Sequence, residues 1–322
     1  MIRQQFLYHP NFPTELMSKM PPATPNTTPM SDQKAGVLLA IAAYFMWGLA
    51  PIYFKQLQDI PAVEILMHRI VWSAVVLVGL IFALRQIAKV KAALQSSKVM
   101  LMLLASGILL GGNWLLFIWA INNDHLLEAS LGYYINPLFN VLFGFIFLGE
   151  RFRRLQKVAV GLAFSGVLIL LITFGEVPVI ALTLALSFSL YGLLRKQVSV
   201  DSIPGLLIET LMMLPLALAY WLWTDSPTSN FAHNTATLNA LLIFAGIITT
   251  APLLCFTAAA RRILYSTLGF FQYIGPTLMF VLAVLLYKEP FTLERLITFG
   301  FVWAGLAIFT FDAYQHHKKN KL

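Results

Sequence analysis

Three ionisable residues stand together where the chain is otherwise apolar: Glu64, His68 and Arg69. Glu64 and His68 are four residues apart, so on a helix they share one face. Arg69 falls roughly 6–8 Å inside the apolar run that follows, at about 1.5 Å of rise per residue. A carboxylate, an imidazole and a guanidinium placed there can carry a proton or grip an anionic group, the kind of work that charges inside a membrane usually mark. The competing account is structural, with Arg69 reaching outward along its alkyl stem and pairing with Glu64. Glu209 opens a later apolar run. It serves either as a proton-coupling carboxylate or as an acid favoured by the positive end of a helix.

A second set of residues offers hydrogen bonds and aromatic faces. Tyr133, Asn136 and Asn140 recur at i, i+3 and i+7, a polar stripe that belongs in the protein interior. Gln272 and Tyr273 form a counterpart further along, and Asn113 with Trp114, and Tyr44 with Trp47, add amide and aromatic groups. All are candidate substrate-binding residues, with hydrogen bonding between helices as the alternative for each amide. Pro137, Pro252 and Pro276 are candidate helix breaks, since proline lacks an N–H and presses on the carbonyl four residues back. Cys255 is the single cysteine, so neither a disulfide within the chain nor a cysteine-based metal site is expected. No metal and no cofactor is expected.

The elements that must hold these groups follow from composition. The chain is 59% hydrophobic and 11% charged, with a mean hydropathy of +0.76. Soluble domains sit at roughly 45–50% apolar and about 25% charged. The apolar residues fall in ten runs, each near the roughly 20 residues that span a bilayer: Gly36–Phe54, Ile65–Leu84, Val99–Ile121, Leu127–Gly149, Val158–Phe174, Val177–Leu194, Gly205–Trp223, Leu238–Ala260, Ile263–Tyr287 and Leu293–Phe311. The net charge of +8 does not imply nucleic acid, because Lys and Arg occupy alternate loops. Arg85, Lys89, Lys91 and Lys98 share one side with Arg151, Arg153, Arg154 and Lys157, with Arg195 and Lys196, and with Arg261 and Arg262. The other side holds only Lys55, Lys288 and Arg295. By the positive-inside rule both termini are expected in the cytoplasm. Residues before Met30 are rich in Pro, Thr and Asn and lack an apolar leader, so the expectation is a disordered tail or a working start at Met30.

The two halves of the chain repeat each other. Tyr134, Ile135, Pro137, Glu150, Phe152, Gly161, Gly166 and Ile169 return 139 residues later as Tyr273, Ile274, Pro276, Glu289, Phe291, Gly300, Gly305 and Ile308. Arg151, Arg153, Arg154 and Lys157 return as Pro290, Thr292, Leu293 and Leu296. Packing positions kept and loop charges stripped are what a unit shows when its second copy crosses the membrane the other way. The expected fold class is an all-α polytopic membrane protein of ten transmembrane helices in two inverted five-helix repeats. The first repeat covers 31–175 and the second 176–313, with a basic tail at 314–322.

Several long strings carry a family resemblance. Ala43-Tyr44-Phe45-Met46-Trp47-Gly48, Gly111-Gly112-Asn113-Trp114, Leu127-Glu128-Ala129-Ser130-Leu131-Gly132-Tyr133, Asn136-Pro137, Gly149-Glu150-Arg151-Phe152-Arg153-Arg154 and Thr267 through Thr277 resemble the drug/metabolite transporter superfamily. The match is to its EamA branch and, within that, to the RarD group associated with chloramphenicol sensitivity. The resemblance implies a ten-helix permease of a bacterial inner membrane, without fixing its cargo. The function expected is secondary transport, as an exporter of a small organic metabolite or drug, by alternating access around spans three, four, eight and nine. Partners would be that substrate, the bilayer and protons as coupling ion; oligomeric state is left open. A facilitative uptake permease and an intramembrane receptor or scaffold stand as alternatives. No phosphate loop supports an ATP-driven pump, and no H-E-x-x-H or G-x-S-x-G pattern supports an enzyme.

Overall fold

The computed structural model describes residues 30–123, 125–224, 228, 230–286 and 293–319. The segment before Met30 and Glu289 lie outside the described residues. All regular structure among the described residues is helical, which satisfies the backbone within each segment where lipid offers no hydrogen-bond partner. Ten helices are long and apolar enough to cross a membrane, and the chain is a multi-pass membrane protein. In order the spans are Met30–Phe54, Ala62–Ala83, Ser97–Asn122, Leu126–Leu148, Arg154–Phe174, Val179–Gln197, Ser202–Trp223, Ala236–Ala260, a two-piece ninth span, and Leu293–Lys319. A short helix, Ile87–Leu94, lies between spans two and three. Spans one and ten extend past their apolar runs, because helical hydrogen bonding continues after hydrophobicity stops.

Side chains and glycines end the helices where lipid no longer shields them. The Ser96 hydroxyl accepts from the Val99 N–H at 3.4 Å and that of Thr235 from the Leu238 N–H at 3.2 Å, satisfying donors that each new helix leaves orphaned. Gly149 (φ +66°) and Gly175 (φ +81°) close spans four and five in the left-handed conformation. Glu150, which follows span four, caps a different helix. Its two carboxylate oxygens accept from the N–H groups of Tyr265 (2.6 Å) and Ser266 (2.9 Å), the first turn of span nine.

Span nine consists of Tyr265–Gln272 and Ile274–Val281, followed by a π-helical turn at Leu282–Leu286. Pro276 cannot donate to the carbonyl of Gln272, and Gln272 is the residue at which the first piece stops. Pro137 and Pro252 act differently from the expectation of matched breaks, since spans four and eight run through them without interruption. A transmembrane helix tolerates the one lost bond when its neighbours pack against the site. Beside Pro137 that neighbour is Gly269, where a Cβ would lie 2.9 Å from the Pro137 carbonyl oxygen.

The helices pack in a pattern that survives exchange of the halves. Span four touches six, and nine touches one; three touches six, and eight touches one; eight touches two, and three touches seven. Spans two and seven, four and nine, and five and ten pack directly on each other. The contacts also give direction. Gly166 seats against Thr298 (Cβ position to Thr298 O, 3.1 Å) and Gly305 against Ala159 (to Ala159 O, 2.8 Å). As numbering rises along span five it falls along span ten, so the two run antiparallel. Between spans four and nine the hydroxyl of Tyr273 donates to the carbonyl of Tyr134 at 3.3 Å, and Glu150 meets Tyr265. That pair is antiparallel too.

Close helix approach makes one glycine critical and its counterpart permissive. A Cβ on Gly246 in span eight would lie 2.5 Å from the carbonyl carbon of Trp72 and 2.6 Å from its oxygen. On Gly107 in span three the nearest atom is the Glu209 carbonyl oxygen at 3.9 Å. Gly246→Ala should therefore cost about 1–3 kcal/mol through overpacking against backbone, while Gly107→Ala leaves stability near wild type. Thermal denaturation of the two variants in one detergent checks the difference; equal midpoints would refute it.

Candidate functional site

Among the described residues a small, partly open cavity lies between spans two, three, seven and eight. Span two contributes Arg69, Ile70 and Ser73; span three, Leu110 and Trp114; span seven, Leu206, Thr210 and Met213; span eight, Thr249, Thr250 and Leu253. The sequence pointed to spans three, four, eight and nine. Spans four and nine instead press together along Gly269, with Asn140 bonded to Gln272 across that contact, while Asn136 turns to span six.

Arg69 is the cavity's charged group. Its Nε donates to the Thr249 hydroxyl at 2.9 Å. The guanidinium carbon lies 4.7 Å from the centroid of the Trp114 ring and 5.6 Å from that of Phe54, within the range of cation–π attraction. Among the described residues no carboxylate lies within ion-pair distance of it. The other hydroxyls divide. Ser73 donates to the Gly246 carbonyl (3.3 Å) and Thr210 to that of Leu206 (2.8 Å), whereas the buried Thr250 hydroxyl has no partner.

Glu64 and His68 share a network beside this cavity. Glu64 accepts from Thr228 Oγ1 at 2.6 Å and from Tyr220 at 3.1 Å. Thr228 spends its one proton on Glu64, so its 2.9 Å contact with His68 Nε2 has the imidazole donating. The ring of His68 lies 4.8 Å from that of Trp221 and 5.9 Å from that of Phe231, and its buried Nδ1 has no partner. The sequence placed Glu64 and Arg69 in one cluster, but the structure turns them to different partners.

Glu209 lies on span seven and is wholly buried. It accepts from the Ser106 hydroxyl of span three, and Arg195 Nη1 stands 3.5 Å from the same oxygen. Arg195 is wholly buried as well, and its Nη2 donates to the Ser202 carbonyl at 3.3 Å. Gly205 leaves the room the guanidinium needs, since a Cβ there would collide with it. From sequence Arg195 counted only as one more basic loop residue. Loop-charge counting has no depth, and the available signal was Glu209 itself, an acid in an apolar run that requires a cation.

The amides join helices. Asn113 donates to the Leu184 carbonyl and to Ser187, both at 2.9 Å. Asn136 donates to the Ala185 carbonyl (2.7 Å) and to Ser189 (3.0 Å), so spans three and four clamp span six from two sides. Asn140 donates to Gln272 at 2.9 Å across the four–nine contact. Tyr44 and Trp47 pack with Phe256, and Trp47 also with Phe188; the Tyr44 hydroxyl is buried without a partner. Tyr133 meets Phe117 edge-on. Of the residues singled out from sequence, the structure gathers Arg69 and Trp114 at the cavity. Thr249, Thr250 and Thr210 went unnoticed there, because hydroxyls on transmembrane helices ordinarily bond their own backbone, and Met213 because it is one apolar residue among many.

Comparison with known proteins agrees with this architecture. The EamA-like transporter family matches twice, at residues 34–172 and 177–311. A relative from Salmonella typhimurium named Protein RarD is 57% identical over 89% of this chain and 98% of its own length. An uncharacterized transporter of Vibrio cholerae is also 57% identical, over 90% and 96%. The chloramphenicol-sensitive protein RarD of Pseudomonas aeruginosa is 34% identical over 88% and 96%. One crystal structure shares the fold with a TM-score of 0.68 at 18% identity, covering 86% of this chain and 97% of that one. The chain therefore belongs to the EamA-like transporter family, with RarD proteins among its relatives.

Proposed function

We propose that this protein is a secondary transporter of a bacterial inner membrane that exports a small organic molecule by alternating access between two inverted five-helix repeats. The observation that carries this reading is the position of the cavity. It lies between spans two and three of the first half and spans seven and eight of the second, and each of these spans is the other's equivalent five helices on. Antiparallel packing of spans five and ten, and of four and nine, supports the inverted relation. The names of relatives, several of which are called transporters, support the transport reading.

Ion pairs across the basic face suit such a cycle. Asp201, before span seven, accepts from Lys89 (2.6 Å) of the first half and from Arg261 (2.7 Å). Arg262, after span eight, donates to Asp32 of the first half at 2.9 Å. The Lys89–Asp201 and Arg262–Asp32 pairs join the halves on the side that the positive-inside rule assigns to the cytoplasm. In this reading the pairs hold the cytoplasmic side closed, and the latch must break for substrate to enter from there.

The test of the function is uptake into proteoliposomes with and without an imposed pH gradient. Accumulation driven by the gradient is expected, and Glu64→Gln or Glu209→Gln should reduce it to the level of protein-free vesicles if those carboxylates carry the proton. Unchanged uphill transport in both variants would remove them from that role, and equilibration without a gradient would favour a facilitator.

The latch gives a separate expectation. Hydrogen bonds from Lys89 and Arg261 hold the Asp201 carboxyl below its ordinary range. A depressed folded value means the latch is fully present above the ordinary carboxylate value of about 3.9 and is lost only as pH falls through the lower one. Cys255, about 8 Å from the basic-face end of span eight at 1.5 Å per residue, reports opening through maleimide labelling. Taken at each pH as a ratio to the rate of a free thiol, because only the thiolate reacts, labelling should stay flat between about pH 5 and 8 and rise several-fold in Asp201→Asn; equal rates in the two proteins at one pH would exclude a latch.

A further inference from the structure

Resting on the transporter reading, we infer that the cavity takes an organic monocarboxylate, with its carboxylate on Arg69 and Thr250 and its apolar body against Trp114, Met213 and Leu253.

The argument begins with what Arg69 lacks. A guanidinium offers five N–H donors. Thr249 accepts from Nε, and the terminal nitrogens make neither hydrogen bond nor ion pair with any described residue. The Trp114 and Phe54 rings attract the positive charge but accept none of its hydrogen bonds. The protein handles its other interior arginine differently: Arg195 also leaves Nε and Nη1 without hydrogen bonds, but it has the carboxylate of Glu209 at 3.5 Å to offset its charge. An arginine left without an anion at an apolar cavity wall is a site that an incoming anion completes.

Thr250 points the same way by an independent route. Its hydroxyl is 1% exposed, has no partner, and lines the same cavity. A buried polar group without a partner is costly, and a ligand oxygen there relieves it. No Asp or Glu lines the cavity, so a cationic substrate would meet only repulsion. One guanidinium presenting two terminal nitrogens matches one carboxylate. A phosphate dianion would bring a second charge with no second cation among the lining residues. Ser73, Thr210 and Thr249 also line the cavity with hydroxyls already engaged; the rest of the wall is Leu, Ile, Met and Trp, which suits an aliphatic or aromatic body.

The experiment uses the full chain in proteoliposomes with labelled benzoate, indole-3-acetate and phenylpyruvate. Benzamide and indole-3-acetamide serve as neutral counterparts, phenethylamine as a cation and inorganic phosphate as a second anion. Uptake of a carboxylate but not of its amide is expected. Arg69→Gln should lower it by about tenfold or more, and Arg69→Lys should restore part of it by keeping the charge without the fork. Thr250→Val should raise KM while leaving the fold intact. Uptake of the amide or amine that Arg69→Gln leaves untouched would overturn the anion site while the transporter reading stood, and uptake of phosphate alone would overturn the carboxylate class. If no probe is transported by monodisperse protein, the transporter reading fails first. Quenching of tryptophan fluorescence then decides the site: saturable quenching by a carboxylate that Arg69→Gln abolishes upholds it, and none overturns it.

Discussion

A charge or backbone polar group held within the bilayer finds its partner inside the protein or in a cavity, because lipid supplies none. The buried pair of Arg195 and Glu209 is the clearest result of that constraint. Both side chains are fully removed from solvent, on different spans, 3.5 Å apart. Removing one member would leave the other charge buried and uncompensated, which is far worse than losing a surface pair. Spans six and seven are thereby tied at the depth where the pair lies, and span three joins them through Ser106.

The same rule explains why so many polar residues of the interior end in helix contacts. An asparagine in a transmembrane helix has two N–H donors, and a neighbouring span offers carbonyls and serine hydroxyls. Asn113 and Asn136 each take one carbonyl and one serine of span six. Glu150 does the equivalent for backbone donors at the start of span nine. Once these groups are paired, the amides are spent on helix contacts, and the cavity is lined by Arg69, hydroxyl residues and apolar side chains instead.

Against that background the three functional clusters differ by what completes them. Glu209 has its cation. Glu64 and His68 have Thr228 between them. Arg69 has two aromatic faces and one hydroxyl, and faces open space. The cavity's polarity is therefore set by a single cation. The ion pairs that join Lys89, Asp201 and Arg261 are of another kind, partly exposed and joined between loops. Such pairs are weak individually, which suits contacts that must form and break in a transport cycle.

How much of this was legible beforehand depends on which interactions are local. Ten apolar runs, alternating loop charge and a repeat at an offset of 139 residues are visible in the chain because lipid imposes them segment by segment. Arg69 and Trp114 were legible as candidates because a charge and a large aromatic ring stand out against apolar neighbours. Their meeting at one cavity was not, since it requires spans two and three to be seated against seven and eight. Nor was the burial of Arg195, which depends on Gly205 leaving space ten residues away. The sequence by itself determined that this is a ten-span, all-helical membrane protein, because hydrophobic length is a property of each segment alone. Only the tertiary structure decided which polar groups are spent on packing and which stay open to a ligand, because a hydrogen bond between helices depends on a partner that no single segment contains.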